Sequence, residues 1–234
     1  MKRQIFTMGG GGFLEEPENP LLDTFFIGLA NKSKPKVCFV GTASGDAASF
    51  HDKFYQAMSK YPVEASHLSL FKPPAGSLRD YVLSKDVVYV GGGNTRNLMV
   101  LWREWGLDVI LREAYEKGIV LGGISAGSLC WYEQGVTDSI TGQLTKLDCL
   151  GFLKGSNCPH YYEEPGRRPA YQKLIAEGLK PGLGCDDGVA GYFVNGDLVE
   201  CVSSRPDMMA YKVSLQAGKI VETSIKPRYL GAKS

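Results

Sequence analysis

Near the middle of the chain, Gly123-Ile124-Ser125-Ala126-Gly127 directly follows the short apolar run Ile119-Val120-Leu121 and precedes a segment of helical character. A G-x-S-x-G pattern between a buried strand and a helix is the mark of a nucleophile elbow, a tight turn that lifts a serine hydroxyl above the end of a sheet. So sharp a turn leaves no room for side chains two residues either way, which accounts for both glycines. The competing reading is a serine that only caps the helix. Its place after the apolar run favours the nucleophile.

A serine hydroxyl is inert at neutral pH until a base takes its proton. The chain has three histidines. His51 falls in the helical stretch 47–60 beside an apolar stripe, and His67 in the strand-like stretch 63–71, so both read as structural. His160 follows Asn157-Cys158-Pro159 in an irregular segment beyond the nucleophile, where Pro159 restricts the backbone, and it reads as the general base. The base needs an acid to orient it. Gly184-Cys185-Asp186-Asp187-Gly188 offers two, and spacing alone does not separate them; Asp187 is taken over Asp186.

An acyl-transfer intermediate also needs preorganised N–H donors. The Ala126 amide at the helix start is one, and the Gly91-Gly92-Gly93-Asn94 turn brings a second from Gly92 or Gly93. A phosphate cradle is the other use of such a turn, but the lysine of a G-x-x-x-x-G-K-[ST] loop is missing, as is a G-x-G-x-x-G at the first strand. Cys130, five residues past Ser125, falls inside the helix and reads as core, which argues against a cysteine amidase.

The surrounding elements must hold these residues. Apolar strands are expected at residues 4–8, 36–40, 63–71, 86–90 and 119–121, and amphipathic helices after Asn19-Pro20 and over 47–60, 95–105, 107–117 and 128–132. Alternation of apolar strands with helices implies an α/β fold, a mostly parallel sheet covered on both faces. Beyond residue 135 the pattern changes to hairpin punctuation: 189–194, the Asn195-Gly196 turn, 198–202 and 208–213 read as antiparallel strands added to the sheet edge. With no repeat and no dividing linker, residues 1–234 are expected to form one domain.

Composition narrows the function classes. Lys and Arg number 26 against 25 Asp and Glu, so there is no basic footprint for nucleic acid. Six dispersed cysteines without a C-x-x-C pair read as reduced thiols. No apolar run is long enough for a membrane span, and the first residues carry no apolar leader, so the expectation is a cytoplasmic protein. Three scattered histidines make no ligand cluster, so neither metal nor organic cofactor is expected.

Taken together, these residues resemble the peptidase E family of the class I glutamine-amidotransferase-like superfamily. The resemblance runs over nearly the whole chain, through Asn19-Pro20-Leu21-Leu22, Gly91-Gly92-Gly93-Asn94-Thr95, Gly123-x-Ser125-Ala126-Gly127-Ser128, Pro159-His160 and Asp187-Gly188. It implies a three-layer α/β sandwich, a catalytic order of Ser, His, then Glu or Asp, and aspartyl dipeptidase or cyanophycinase activity on a small peptide substrate. By the same resemblance Asn94 and Arg168 are substrate-binding positions, Arg168 meeting the aspartate β-carboxylate with Arg167 as the fallback, and Asp138 holds the free amine. The chain departs in carrying Asp187 where the aspartyl dipeptidase has Glu. The alternatives are another serine hydrolase on this scaffold, cyanophycinase-like or an esterase, and a non-catalytic binding member. A monomer or homodimer is expected.

Overall fold

The structure, a computed structural model, describes residues 1–72, 76–140 and 142–231. The first half contains strands β1 (Gln4–Met8), β2 (Lys36–Val40), β3 (Glu64–Leu68), β4 (Val87–Val90) and β5 (Val120–Ile124). Between and after them run helices α1 (Gly12–Glu15), α2 (Leu21–Gly28), α3 (Ala48–Met58), α4 (Leu78–Leu83), α5 (Thr95–Glu104), α6 (Leu107–Glu116) and α7 (Ala126–Leu129). The second half contains β6 (Tyr132–Thr137), β7 (Thr145–Asp148), β8 (Leu153–Cys158), α8 (Arg167–Ala176), β9 (Gly182–Cys185), β10 (Val189–Val194), β11 (Asp197–Ser203), β12 (Ala210–Gln216), β13 (Lys219–Ile225) and β14 (Arg228–Tyr229).

The strands form two sheets, one ordered β14-β11-β10-β1-β5-β4-β2-β3 and the other β13-β12-β9-β8-β6-β7. In the first, β1, β5, β4, β2 and β3 pair in parallel, and β10 and β11 join antiparallel beside β1. Successive residues of a strand enter opposite cores. Val88 and Val90 pack with Leu98, Trp102, Leu107 and Leu111 of α5 and α6, whereas Val87 and Tyr89 pack with Phe26 of α2 and Phe54 of α3. A sheet buried on both faces favours apolar residues at successive positions, which is why β2 and β4 read as nearly continuous runs, whereas the outer strand β3 is only partly buried and mixes Glu64, Ser66 and His67 with apolar residues. The three-layer α/β sandwich follows.

The expected antiparallel edge is present in β10 and β11, but the segment expected as a strand over 208–213 lies elsewhere. It forms β12, paired between β9 and β13 in the second sheet. Pairing partners decide this: Asp186 donates its N–H to Met209 O at 3.2 Å and accepts from Met209 N–H through Oδ2 at 3.1 Å, tying the chain to the end of β9. Helix α7 stops at Leu129, and the residues expected to extend it turn into β6. Helix α4, not anticipated from the pattern, is capped by Ser77, whose Oγ accepts the Asp80 N–H at 3.2 Å. No helix among the described residues is long and apolar enough to cross a membrane.

One acid lies inside the aromatic core. Asp23 of α2 is 2% exposed, and the Tyr89 hydroxyl donates to its Oδ1 at 3.0 Å. Burial raises its pKa to about 7, only partly opposed by hydrogen bonds from Tyr89 and the Phe13 amide. The folded chain therefore holds a proton that the unfolded chain releases near pH 4. This contribution is fully present below the unfolded value and is lost as pH rises from about 4 to about 7, by at most about 4 kcal/mol. Asp23→Asn keeps an oxygen for Tyr89 and should flatten that slope. Urea unfolding at pH 5 and pH 8 is expected to show the variant more stable than wild type at the higher pH.

Candidate active site

The loops leaving β1, β5 and β4 emerge side by side because those strands are neighbours. Ser125 sits at the end of β5 with φ 55° and ψ −110°, a strained conformation for a residue with a side chain. Its N–H continues the sheet by donating to Met8 O at 3.1 Å, and its carbonyl accepts from Ser128 N–H at 2.9 Å to open α7. Both flanking glycines are required by contact: a Cβ on Gly123 or Gly127 would lie 2.1 or 2.2 Å from Val90 O. The elbow inferred from the pattern is therefore present in the backbone. Ala126, next along, is buried at the start of α7.

The triple-glycine turn lies against the elbow. A Cβ on Gly92 would meet Ser125 Cβ at 3.4 Å and Ser125 Oγ at 3.9 Å, so Gly92 borders the hydroxyl directly. Gly93 has φ 133°, and a Cβ there would lie only 2.3 Å from Ala43 O. Asn94 caps α5, its Oδ1 accepting Asn97 N–H at 2.8 Å, and its Nδ2 donates to Ser139 O at 3.2 Å. This structural task ties up the side chain expected to bind substrate, and brings exposed Asp138 beside the turn through its neighbour Ser139.

The structure brings His160 and Asp187 together. His160 Nδ1 lies 2.6 Å from Asp187 Oδ1, and His160, 8% exposed, adopts φ 52°. Its orientation is set by the second sheet: β8 and β9 pair in parallel, and Tyr161 N–H donates to Cys185 O at 3.0 Å. Burial pulls the imidazole pKa down, but the Asp187 hydrogen bond and charge outweigh it, aided by Glu15 and Glu164, and the net shift is upward. Asp187 N–H donates to Glu163 Oε2 at 3.0 Å. The two acids that spacing left equivalent are now distinct. Asp186 points to Met209, keeps Oδ1 buried without a partner, and is raised to about 7 chiefly by burial.

Glu15, which carried no signal in the sequence, stands with this pair. Donor atoms of Glu15, His160 and Asp187 lie within 4.8 Å of one another, the one such cation-capable cluster among the described residues. Here His160 Nδ1 is already engaged by Asp187.

Arg168 carries a partner that sequence could not reveal. Its Nε and Nη2 donate to Glu222 Oε2 and Oε1 at 3.0 and 2.7 Å, a bidentate pair that Tyr161 and Gln172 complete with hydrogen bonds of 2.6 and 2.8 Å to Oε2. The guanidinium also stands 5.5 Å from the Tyr162 ring centroid. Arg167, the fallback, is buried and paired with Glu164. His51 and His67 stack on each other at 4.1 Å, and β3, which carries His67, is the outer strand, separated from β5 by β4 and β2. Cys130 is a buried free thiol whose pKa burial raises far above its ordinary value.

With this geometry established, known proteins give the class. A model of peptidase family S51 matches residues 5–202, and the chain belongs to that family, a family of peptide-bond hydrolases to which peptidase E belongs. It is 51% identical over 230 residues to the Bacillus subtilis (strain 168) protein described as uncharacterized peptidase YgaJ, covering 98% of this chain and 100% of that one. Uncharacterized peptidase Lmo0363 of Listeria monocytogenes is 25% identical over 166 residues, covering 68% and 79%. In fold, the chain is similar to a crystal structure of a peptidase from an acI-B1 Actinobacterium, with TM-score 0.71, 19% identity and 97% of both chains covered. A putative peptidase E protein from Listeria monocytogenes EGD-e aligns with TM-score 0.62 and 17% identity, covering 96% and 100%.

The contact at Gly127 gives a direct test of the elbow. Gly127→Ala should cost about 3 kcal/mol by forcing a methyl group against Val90 O. A denaturant midpoint indistinguishable from wild type would show that the turn is looser than described.

Proposed function

We propose that the chain is a serine peptidase that hydrolyses dipeptides or short peptides with N-terminal aspartate through Ser125, His160 and Asp187. The observation that carries the reading is the 2.6 Å His160–Asp187 contact on a chain whose elbow serine is held in strained geometry beside Gly92. Ser125 Oγ attacks the peptide carbonyl carbon while His160 takes its proton. The C–N bond then breaks, His160 returns the proton to the leaving amine, and water hydrolyses the acyl-enzyme by the same relay. Asp187 holds the imidazole by Nδ1 and stabilises its charged form. Amides of Ala126 and of Gly92 or Gly93, in the turn that lies against Ser125, receive the developing oxyanion. Asp138 is the proposed anchor for the substrate's free amine, and Asn94 shapes the turn beneath it. The free thiols of all six cysteines support a reducing, cytoplasmic setting.

Aspartate selectivity is assigned to Arg168, and the Glu222 pair bears on it. Two of the five guanidinium N–H donors and much of the charge are already matched, so a substrate carboxylate must use the remaining edge or displace Glu222. This observation favours a second reading, a serine hydrolase of short peptides or esters without strict aspartate preference.

Hydrolysis of Asp-Leu, Asp-p-nitroanilide, Glu-Leu and Ala-Leu separates the two. Selective cleavage of the aspartyl substrates, abolished in Ser125→Ala, is the expected result; equal cleavage of Ala-Leu selects the second reading, and wild-type activity in Ser125→Ala refutes the nucleophile. Glu222→Gln, which frees charge on Arg168, should raise the Asp-Leu over Ala-Leu ratio of kcat/KM by about 10-fold if Arg168 meets the substrate. The pH profile is a further check. A base must be neutral to accept a proton, and His160 is raised, so the acid limb of kcat/KM should lie above pH 6.5.

A further inference from the structure

Glu15 ends α1, the single helical turn that follows the glycine run Gly9–Gly12. Its position is held from the backbone: Oε2 accepts the Gly11 N–H at 2.7 Å. A Cβ on Gly10 would lie 2.1 Å from Asp187 Oδ1 and 2.8 Å from Glu15 Oε2, so the two carboxylates close over a residue that must lack a side chain. Both are within 4.8 Å of a His160 ring nitrogen. Two acids from opposite ends of the chain thus converge on one imidazole.

We propose that Glu15 is a positioning residue for His160, a second carboxylate that acts with Asp187 to hold the imidazole and to stabilise its protonated form while Ser125 reacts. The inference rests on the Ser125–His160–Asp187 reading. Asp187 has a short side chain and supplies one hydrogen bond to Nδ1. The imidazolium that forms during attack is mostly buried, while Glu15 stands at the exposed edge of the cluster, so its charge acts on a desolvated ring across a boundary that solvent partly screens. Glu15 supplies that charge without occupying Nδ1. The other charged groups around His160 are Glu164, from the segment after β8, and Glu163, which accepts from Asp187 N–H. The Glu15 carboxyl lies above its ordinary value, chiefly through desolvation, with the charges of Asp187 and Glu16 adding to it and the Gly11 N–H and His160 opposing it; Glu15 in turn raises His160.

Glu15→Gln tests the charge and little else, because the amide oxygen still accepts from Gly11 N–H. With only three histidines in the chain, the His160 ring resonances can be assigned by comparison with His160→Gln and titrated by NMR without any substrate. The expected result is a His160 titration midpoint lower in Glu15→Gln than in wild type, with thermal stability retained, the wild-type midpoint restored in Glu15→Asp, and kcat/KM about 10-fold lower with its acid limb displaced the same way. An unchanged His160 midpoint in Glu15→Gln overturns the proposal even if wild type cleaves peptides. A lowered midpoint in a protein that cleaves no peptide or ester sustains the effect of Glu15 on His160 and refutes the peptidase reading instead.

Discussion

The site depends on one close passage of backbone past backbone. Gly10 pairs with Asp187 as an isolated parallel bridge, Gly188 N–H donates to Gly10 O at 3.1 Å, and Gly9 N–H donates to Val189 O at 2.9 Å. A Cβ on Gly9 would fall 2.5 Å from the carbonyl oxygens of Cys185 and Asp186. Only a run of glycines lets the end of β1 and the β9–β10 connection approach this closely. Through this contact the second sheet, which carries His160 and Asp187, is brought against the end of the first, which carries Ser125.

The strain stored at the site is local and countered by packing. Ser125 and His160 both adopt positive φ, at a cost of order 1–3 kcal/mol each. Ser125 is held by its β-type bond to Met8, by the helix that starts on its carbonyl, and by the fit of Gly123 and Gly127 under Val90. His160 is held by Asp187 on one side and by the Tyr161–Cys185 bond on the other. Neither conformation would persist in an isolated peptide. Each belongs to the assembled sheets.

Charge around the site is arranged in separate compartments. Asp187 and Glu15 face His160, whereas Asp186, next in sequence to Asp187, turns into a buried contact with Met209. Arg168 and Glu222 neutralise each other at the Tyr161–Tyr162 side. Glu222 accepts four hydrogen bonds, with the Arg168 contact as the main cause holding its carboxyl below the ordinary value. A specificity pocket there would differ in charge from one in which the arginine stood alone.

The amino-acid order was sufficient for the strands of the parallel half and for the elbow, though not for the short helices α1 and α4. Central strands buried on both faces, such as β2 and β4, are nearly continuous apolar runs, and a nucleophile turn leaves its glycines at fixed offsets, so both are local signals. The His160–Asp187 pair was legible only to the level of candidate types, since 27 residues separate them and nothing local distinguishes Asp186 from Asp187. The second sheet left little trace: β8 buries Ser156 and Asn157, whose polarity hides the strand until Tyr171, Ser128 and Leu183 supply their partners. Glu15 near His160 and Glu222 on Arg168 are also decisions of tertiary structure. Each depends on segments far apart in the chain, where distance in space, and not spacing in sequence, sets the interaction.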